Sequence, residues 1–105
     1  MVANVERASL RRDIDGLVEL EALSFQRPWS RQMLIDELSK VSVSEAFVVR
    51  INQDSLVGYC SWRLIEGELY LNNLAIHPEH RRQGLARLLL MHLTQDATSR
   101  GVRSI

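Results

Sequence analysis

A chain of 105 residues with 46% apolar and 25% charged side chains has the make-up of one soluble globular domain. Its 13 basic and 13 acidic residues cancel, removing the overall field a nucleic-acid binder uses, and no apolar run approaches the ~20 residues of a membrane span. Arg7, Arg11, Arg12 and Asp13 interrupt any leader-peptide core, so the expected location is cytoplasmic; the lone Cys60 excludes an intrachain disulfide or a cysteine-based zinc site.

In chain order, Val5 to Leu10 reads as a first strand. Asp13 follows as the N-cap of a helix whose apolar residues are Ile14, Leu17, Val18, Leu20 and Leu23, slightly weakened by Gly16. The segment Phe25-Gln-Arg-Pro-Trp-Ser30 interrupts that helix, because Pro28 biases Arg27 away from helical angles. Ser30 is a good N-cap for a second helix with Met33, Leu34 and Leu38 on its apolar face, ending near Lys40. Trp29 has two readings: a lid packed over the two helix ends, or, with Pro28, the lining of a binding groove. Ala46 to Asn52 then forms a strand, Gln53 to Ser55 a turn, and Leu56 to Ile65 a further strand that carries Cys60 as a small buried hydrophobe. Glu66-Gly67 fits a two-residue hairpin turn. The result is an antiparallel meander, with the first strand beside it.

The next strand, Glu68 to Ile76, carries an irregularity. Leu69 and Leu71 are apolar at odd positions, but beyond Asn72 and Asn73 the apolar residues are Leu74 and Ile76. Side chains alternate faces along a strand, so the phase change implies either an inserted bulge residue or a strand half-buried on both faces. Pro78 ends the ladder because it lacks an N–H. Leu85, Leu88, Leu89, Leu93 and Ala97 then recur at helical spacing, placing a helix start near Gly84. Helix starts expose unpaired N–H groups with a partial positive charge, and a glycine there lets a phosphate approach. Arg82 and Arg87 add full charges. Neither a Lys-Ser/Thr after the glycine nor a Gly-x-Gly-x-x-Gly is present, so the common phosphate signatures are excluded.

Arg81-Arg82-Gln83-Gly84-Leu85-Ala86 resembles the Arg/Gln-x-x-Gly-x-Gly/Ala motif of the GCN5-related N-acetyltransferases, and Asn73 to Pro78 is similar to that family's central strand and exit. The resemblance implies an α/β (α+β) fold with a mixed, mostly antiparallel sheet and flanking helices. It implies acetyl-coenzyme A as cosubstrate, with Leu74, Ala75 and Ile76 facing the pantetheine arm and thioester and Arg82, Gln83, Gly84, Leu85, Ala86 and Arg87 holding the pyrophosphate. Pro28-Trp29-Ser30 is similar to the ribosomal-protein-alanine N-acetyltransferase branch, which acetylates a protein N-terminus. Pro28 and Trp29 become acceptor-side residues, and the favoured acceptor is the N-terminal alanine of a small-subunit ribosomal protein. A non-catalytic acyl-coenzyme A-binding or interaction module is the alternative. No metal, nucleic acid or membrane enters.

Arg100-Gly101 reads as a helix stop, and Val102 to Ile105 as the start of a strand running parallel to the central one. The resemblance covers about the first two-thirds of the family's single domain. The family's base and acid are then expected beyond Ile105, leaving Glu68 as the only weak catalytic candidate on a strand. Glu66 reads as a turn residue, His77 and His80 as loop histidines flanking the strand exit, and His92 as structural. The open sheet edge leads to an expectation of self-association through the C-terminal strand.

Overall fold

In a computed structural model that describes residues 2–39 and 44–101, four antiparallel strands lie in sequence order. They are β1 (Ala3–Arg7), β2 (Ser44–Ile51), β3 (Ser55–Ile65) and β4 (Glu68–Ile76). Helices α1 (Leu10–Ser24) and α2 (Arg31–Leu38) cover one face of the sheet, and α3 (Leu85–Ser99) covers the other. The expected parallel strand and the self-association assigned to it fall on Val102–Ile105, outside the described residues, as does Lys40.

β1 starts and ends earlier than its apolar residues alone imply, pairing Ala3↔Ile51 through Arg7↔Phe47. The reason is the helix start. Ser9, in extended conformation, is the N-cap of α1, and Leu10 already belongs to the helix. Asp13 is therefore not the cap but a first-turn residue. Its carboxylate accepts the Ser9 N–H at 2.8 Å, satisfying one donor at the helix start, and pairs with Arg50 on β2. The buried stripe of α1 also differs from expectation. Leu17 and Leu20 are buried, Leu23 is exposed, and Glu21 takes the next inward position. Ser30 does cap α2, its Oγ accepting the Met33 N–H at 3.1 Å, and Leu34 is buried, whereas Met33 is exposed.

The turn after β2 occupies Asn52 to Asp54, one residue early, with positive φ at Asn52 and Gln53. Glu66-Gly67 forms the expected hairpin, both residues having positive φ, the signature of a type I′ turn. β4 spans the expected residues and carries the bulge: Ser61 pairs with Asn73 but Trp62 with Leu71, so Asn72 is the extra residue. The insertion moves the apolar phase from Leu69 to Leu74 and Ile76 while keeping all three on the α3 face.

Two cores result. On the α3 side, Phe47, Val49, Trp62, Leu69 and Ile76 meet Leu85, Leu89, Leu93 and Ala97, with Phe47 and Trp62 ring centroids 4.9 Å apart and His92 edge-on to Phe47. On the other side, Val48, Tyr59 and Ala75 meet Leu17, Leu20 and Leu34, with Trp29 packed against them. Gly58 sits where β2, β3 and β4 crowd together. A Cβ there would lie 2.6 Å from Ile76 Cδ1 and 2.8 Å from Val49 Cγ1.

Candidate active site at the mouth of α3

β4 is the last strand of the described sheet, so its outer edge is unpaired among the described residues. The strand exit is fixed on both sides. The His77 N–H donates to the Val57 carbonyl at 2.7 Å, and Arg81 Nε donates to the outward-facing Ile76 carbonyl at 3.1 Å. By strand alternation Leu74 shares the outward backbone direction of Ile76, while Ala75 pairs with Tyr59. A short 3₁₀ turn, Pro78–His80, then leads into α3, with His77 Nδ1 accepting the Glu79 N–H.

Gly84 is the N-cap of α3 in the left-handed region, φ 78°, and provides no side-chain cap. The first backbone bond inside the helix runs from Leu88 N–H to Gly84 carbonyl, leaving the preceding N–H groups without intrahelical partners. Nothing lies within 4 Å of where a Gly84 Cβ would point. Arg82 also has positive φ, a costly conformation for a residue with a Cβ. Among the described residues neither the Arg82 nor the Arg87 side chain forms an ion pair or hydrogen bond.

These groups border an open cleft of about 530 Å³ between the C-terminal halves of α1 and β4 and the mouth of α3. Of the residues expected to hold the cosubstrate, Leu74, Ala75, Ile76, Arg82, Gly84, Leu85, Ala86 and Arg87 line it. Gln83 does not; its side chain turns to His80 Nδ1, 3.4 Å away. Sequence reading missed Ser24 and Phe25, which close the opposite wall, and the lining roles of His80 and Arg81. Ser24 Oγ is buried with no partner among the described residues, a polar atom left over on a ligand-sized wall.

Phe25 also lines a second groove, of about 350 Å³, shared with Glu21, Gln26, Arg27, Trp29 and Asn73. Trp29 packs on the α1–α2 core and also borders this groove. Pro28 is exposed and lines none of the described grooves. Glu68 lies at the opposite end of β4, seven positions before Ala75 and so on the order of 20 Å from the cleft, its carboxylate accepting the Tyr70 hydroxyl. Glu66 sits in the hairpin turn, as expected. No group of three His, Cys, Asp or Glu among the described residues has metal-binding proximity, and no described helix is long and apolar enough to cross a membrane.

The sequence profile of the acetyltransferase (GNAT) family matches residues 14–105. The chain belongs to the GNAT family. Among curated GNAT relatives, a putative [ribosomal protein bS18]-alanine N-acetyltransferase of Bacillus subtilis is 29% identical over 93 residues, covering 89% of this chain and 61% of that protein. The Escherichia coli [ribosomal protein bS18]-alanine N-acetyltransferase is 24% identical over 94 residues, 89% of this chain and 61% of that one. The chain thus spans about three-fifths of the length of these relatives. The fold superposes on the crystal structure of the Escherichia coli ribosomal-protein-S18-alanine N-acetyltransferase with TM-score 0.88 at 24% identity, covering 96% of this chain and 63% of that one. PaiA N-acetyltransferase from Thermoplasma acidophilum, solved in complex with coenzyme A, superposes with TM-score 0.86 at 16% identity, covering 97% of this chain and 76% of that one. The antiparallel, bulged sheet and three helices are therefore a GNAT architecture.

Proposed function

We propose that this chain carries the acetyl-coenzyme A-binding part of an N-acetyltransferase acting on a protein N-terminal α-amine, with the N-terminal alanine of a ribosomal protein as the favoured acceptor. The observation that carries the reading is the uncapped mouth of α3 opening onto the unpaired edge of a bulged strand. Residues at the cleft fit the cosubstrate. The N–H groups at the mouth, with Arg82 and Arg87, would hold the pyrophosphate, and Gly84 leaves its approach clear. Leu74 and Ile76 turn backbone groups to the side where amides of the pantetheine arm would pair, and Ser24 Oγ offers one further polar contact. Bound there, acetyl-coenzyme A supplies a thioester: the acceptor nitrogen bonds to its carbonyl carbon, the C–S bond breaks, and the proton nitrogen loses balances the one the thiolate gains. The chain's own contribution is mainly positional, setting an amine against a fixed acyl carbon. The acceptor assignment is supported by the activity named for the curated relatives.

Isothermal titration with acetyl-coenzyme A tests this directly. Saturable heat is expected, with coenzyme A itself retaining most of the affinity because the diphosphate is the main anchor. An absence of heat overturns the reading. Binding without transfer to an alanine-initiated peptide, in this chain and in any longer form of it, would instead mark a non-catalytic acyl-coenzyme A-binding module.

A further inference from the structure

Two glutamates, both buried, project from the helices that flank the Pro28–Trp29 loop, and each takes one asparagine of the β4 bulge. Glu21 of α1 accepts the Asn73 amide at 2.8 Å on Oε2, the Tyr59 hydroxyl on the same oxygen, and the Trp29 backbone N–H at 2.7 Å on Oε1. Glu37 of α2 accepts the Asn72 amide at 3.3 Å and Arg63 Nε at 2.7 Å. One carboxylate therefore touches α1, the loop after it, β3 and the bulge at once. Glu21 is fully buried, and no ion pair joins it to a cation among the described residues. Burying a carboxylate against donors alone is costly, whereas an apolar side chain at the same position of the Leu17–Leu20 stripe would not be. Helix packing does not require this residue. What it does require an explanation for is the point where two grooves meet: Glu21 and Asn73 line the groove that shares Phe25 with the cleft, and Leu74, next after Asn73, lines the cleft.

We propose that Glu21 is a positioning residue, a brace through which the bulge and the Trp29 loop hold one fixed separation, so that an amine seated in the Trp29 groove stands at a set distance from an acyl group held along β4. This rests on the proposed function for its chemistry but not for its mechanics. Tyr59 contributes as a permanent donor, since burial and the neighbouring Glu21 raise its pKa and keep the phenol protonated. Trp29 N–H cannot switch to acceptor, so the carboxylate cannot be replaced by a donor on that side.

The test reverses the polarity of one contact. Asn73→Asp sets two carboxylates against each other; Glu21→Gln with Asn73→Asp restores one donor and one acceptor. Measured by amide hydrogen exchange, N73D should speed exchange at Trp29, across the brace from the substitution, by about tenfold or more while Leu89 to Leu93 of α3 stay within about twofold. The E21Q/N73D pair should return Trp29 to within about threefold of the parent. A Trp29 amide indifferent to N73D, or a double variant that fails to restore it, overturns the brace. Should N73D loosen α3 as well, Glu21→Ala, which removes the carboxylate without adding charge, supplies the same comparison between Trp29 and the bulge amides. In parallel, an alanine-initiated peptide titrated into the coenzyme A-loaded chain should bind about tenfold more weakly to N73D and recover in the double variant, with affinity for coenzyme A itself moving less than about threefold. Equal losses for both ligands would reduce Glu21 to a fold residue. A parent chain that takes no coenzyme A defeats the proposed function alone, and the exchange comparison still decides the brace.

Discussion

At Gly84 two requirements coincide. The backbone is left-handed, and the space its missing Cβ would occupy is open. A Cβ there meets no protein atom, so a larger side chain strains chiefly its own φ, at a cost of about 1–3 kcal/mol, and projects into the mouth of α3. Gly84→Val is expected to leave the chain folded, its thermal midpoint lowered by about 4–8 °C per kcal/mol of that strain, while acetyl-coenzyme A affinity falls about tenfold or more, read by calorimetry. Gly58 predicts the opposite pairing of effects. Its neighbours Ile76 and Val49 are already in contact distance of a Cβ, so Gly58→Ala overpacks the sheet and pushes on a cleft residue. We expect a loss of about 1–3 kcal/mol by urea unfolding, accompanied by weaker cosubstrate binding. A G58A chain as stable as the parent would mean that the strands part there easily.

Elements were most legible where a local rule had no competitor. The period of Leu85, Leu89, Leu93 and Ala97 places α3, and the phase slip around Asn72 corresponds to the bulge actually found. Reading failed where tertiary bonds decided the outcome. Asp13 has the side chain of a cap, but Ser9 ends the strand first, and Arg50 draws the aspartate into the sheet–helix boundary. Glu21 looks like a solvent-facing residue, yet it lies four residues after Leu17 on the buried stripe, a spacing that carried the signal. Leu89 is the residue through which α3 is most fully committed to the sheet, having no exposed surface. Leu89→Ala should cost about 2–5 kcal/mol, seen as a lower denaturation midpoint with an unchanged slope. Because α3 also forms the cleft mouth, cosubstrate added in excess should recover part of that loss by mass action.

Across the whole molecule, β3 is the strand on which both cores close, and its neighbouring Tyr59 and Cys60 are buried against opposite helical layers. Ser24 and Phe25 of the site were invisible to sequence reading for a related reason: they close α1 locally and join the cleft only once the end of α1 and the mouth of α3, on opposite faces of the sheet, meet at β4. The same double burial has a consequence for pH. Loss of solvation pushes the Cys60 thiol from its ordinary 9.0 up to about 11, and burial with Glu21 nearby raises Tyr59 as well. Both groups thus hold their protons in the folded state at pH values where the unfolded chain has released them. With fewer protons bound to the unfolded chain, stability must fall as pH rises. The contribution of Cys60 is fully present below pH 9 and is lost progressively towards pH 11, with Tyr59 adding to the decline above pH 10. Thermal midpoints measured from pH 7 to 11 should be flat at first and then drop. Cys60→Ala should flatten the part of the curve between pH 9 and 11, at the cost of a small cavity at neutral pH. The thiol itself should resist a disulfide reagent at pH 8 until denaturant is added, since both its burial and its raised pKa suppress the thiolate. Rapid labelling of the native chain would show that β3 opens to solvent far more readily than two cores closed upon it allow.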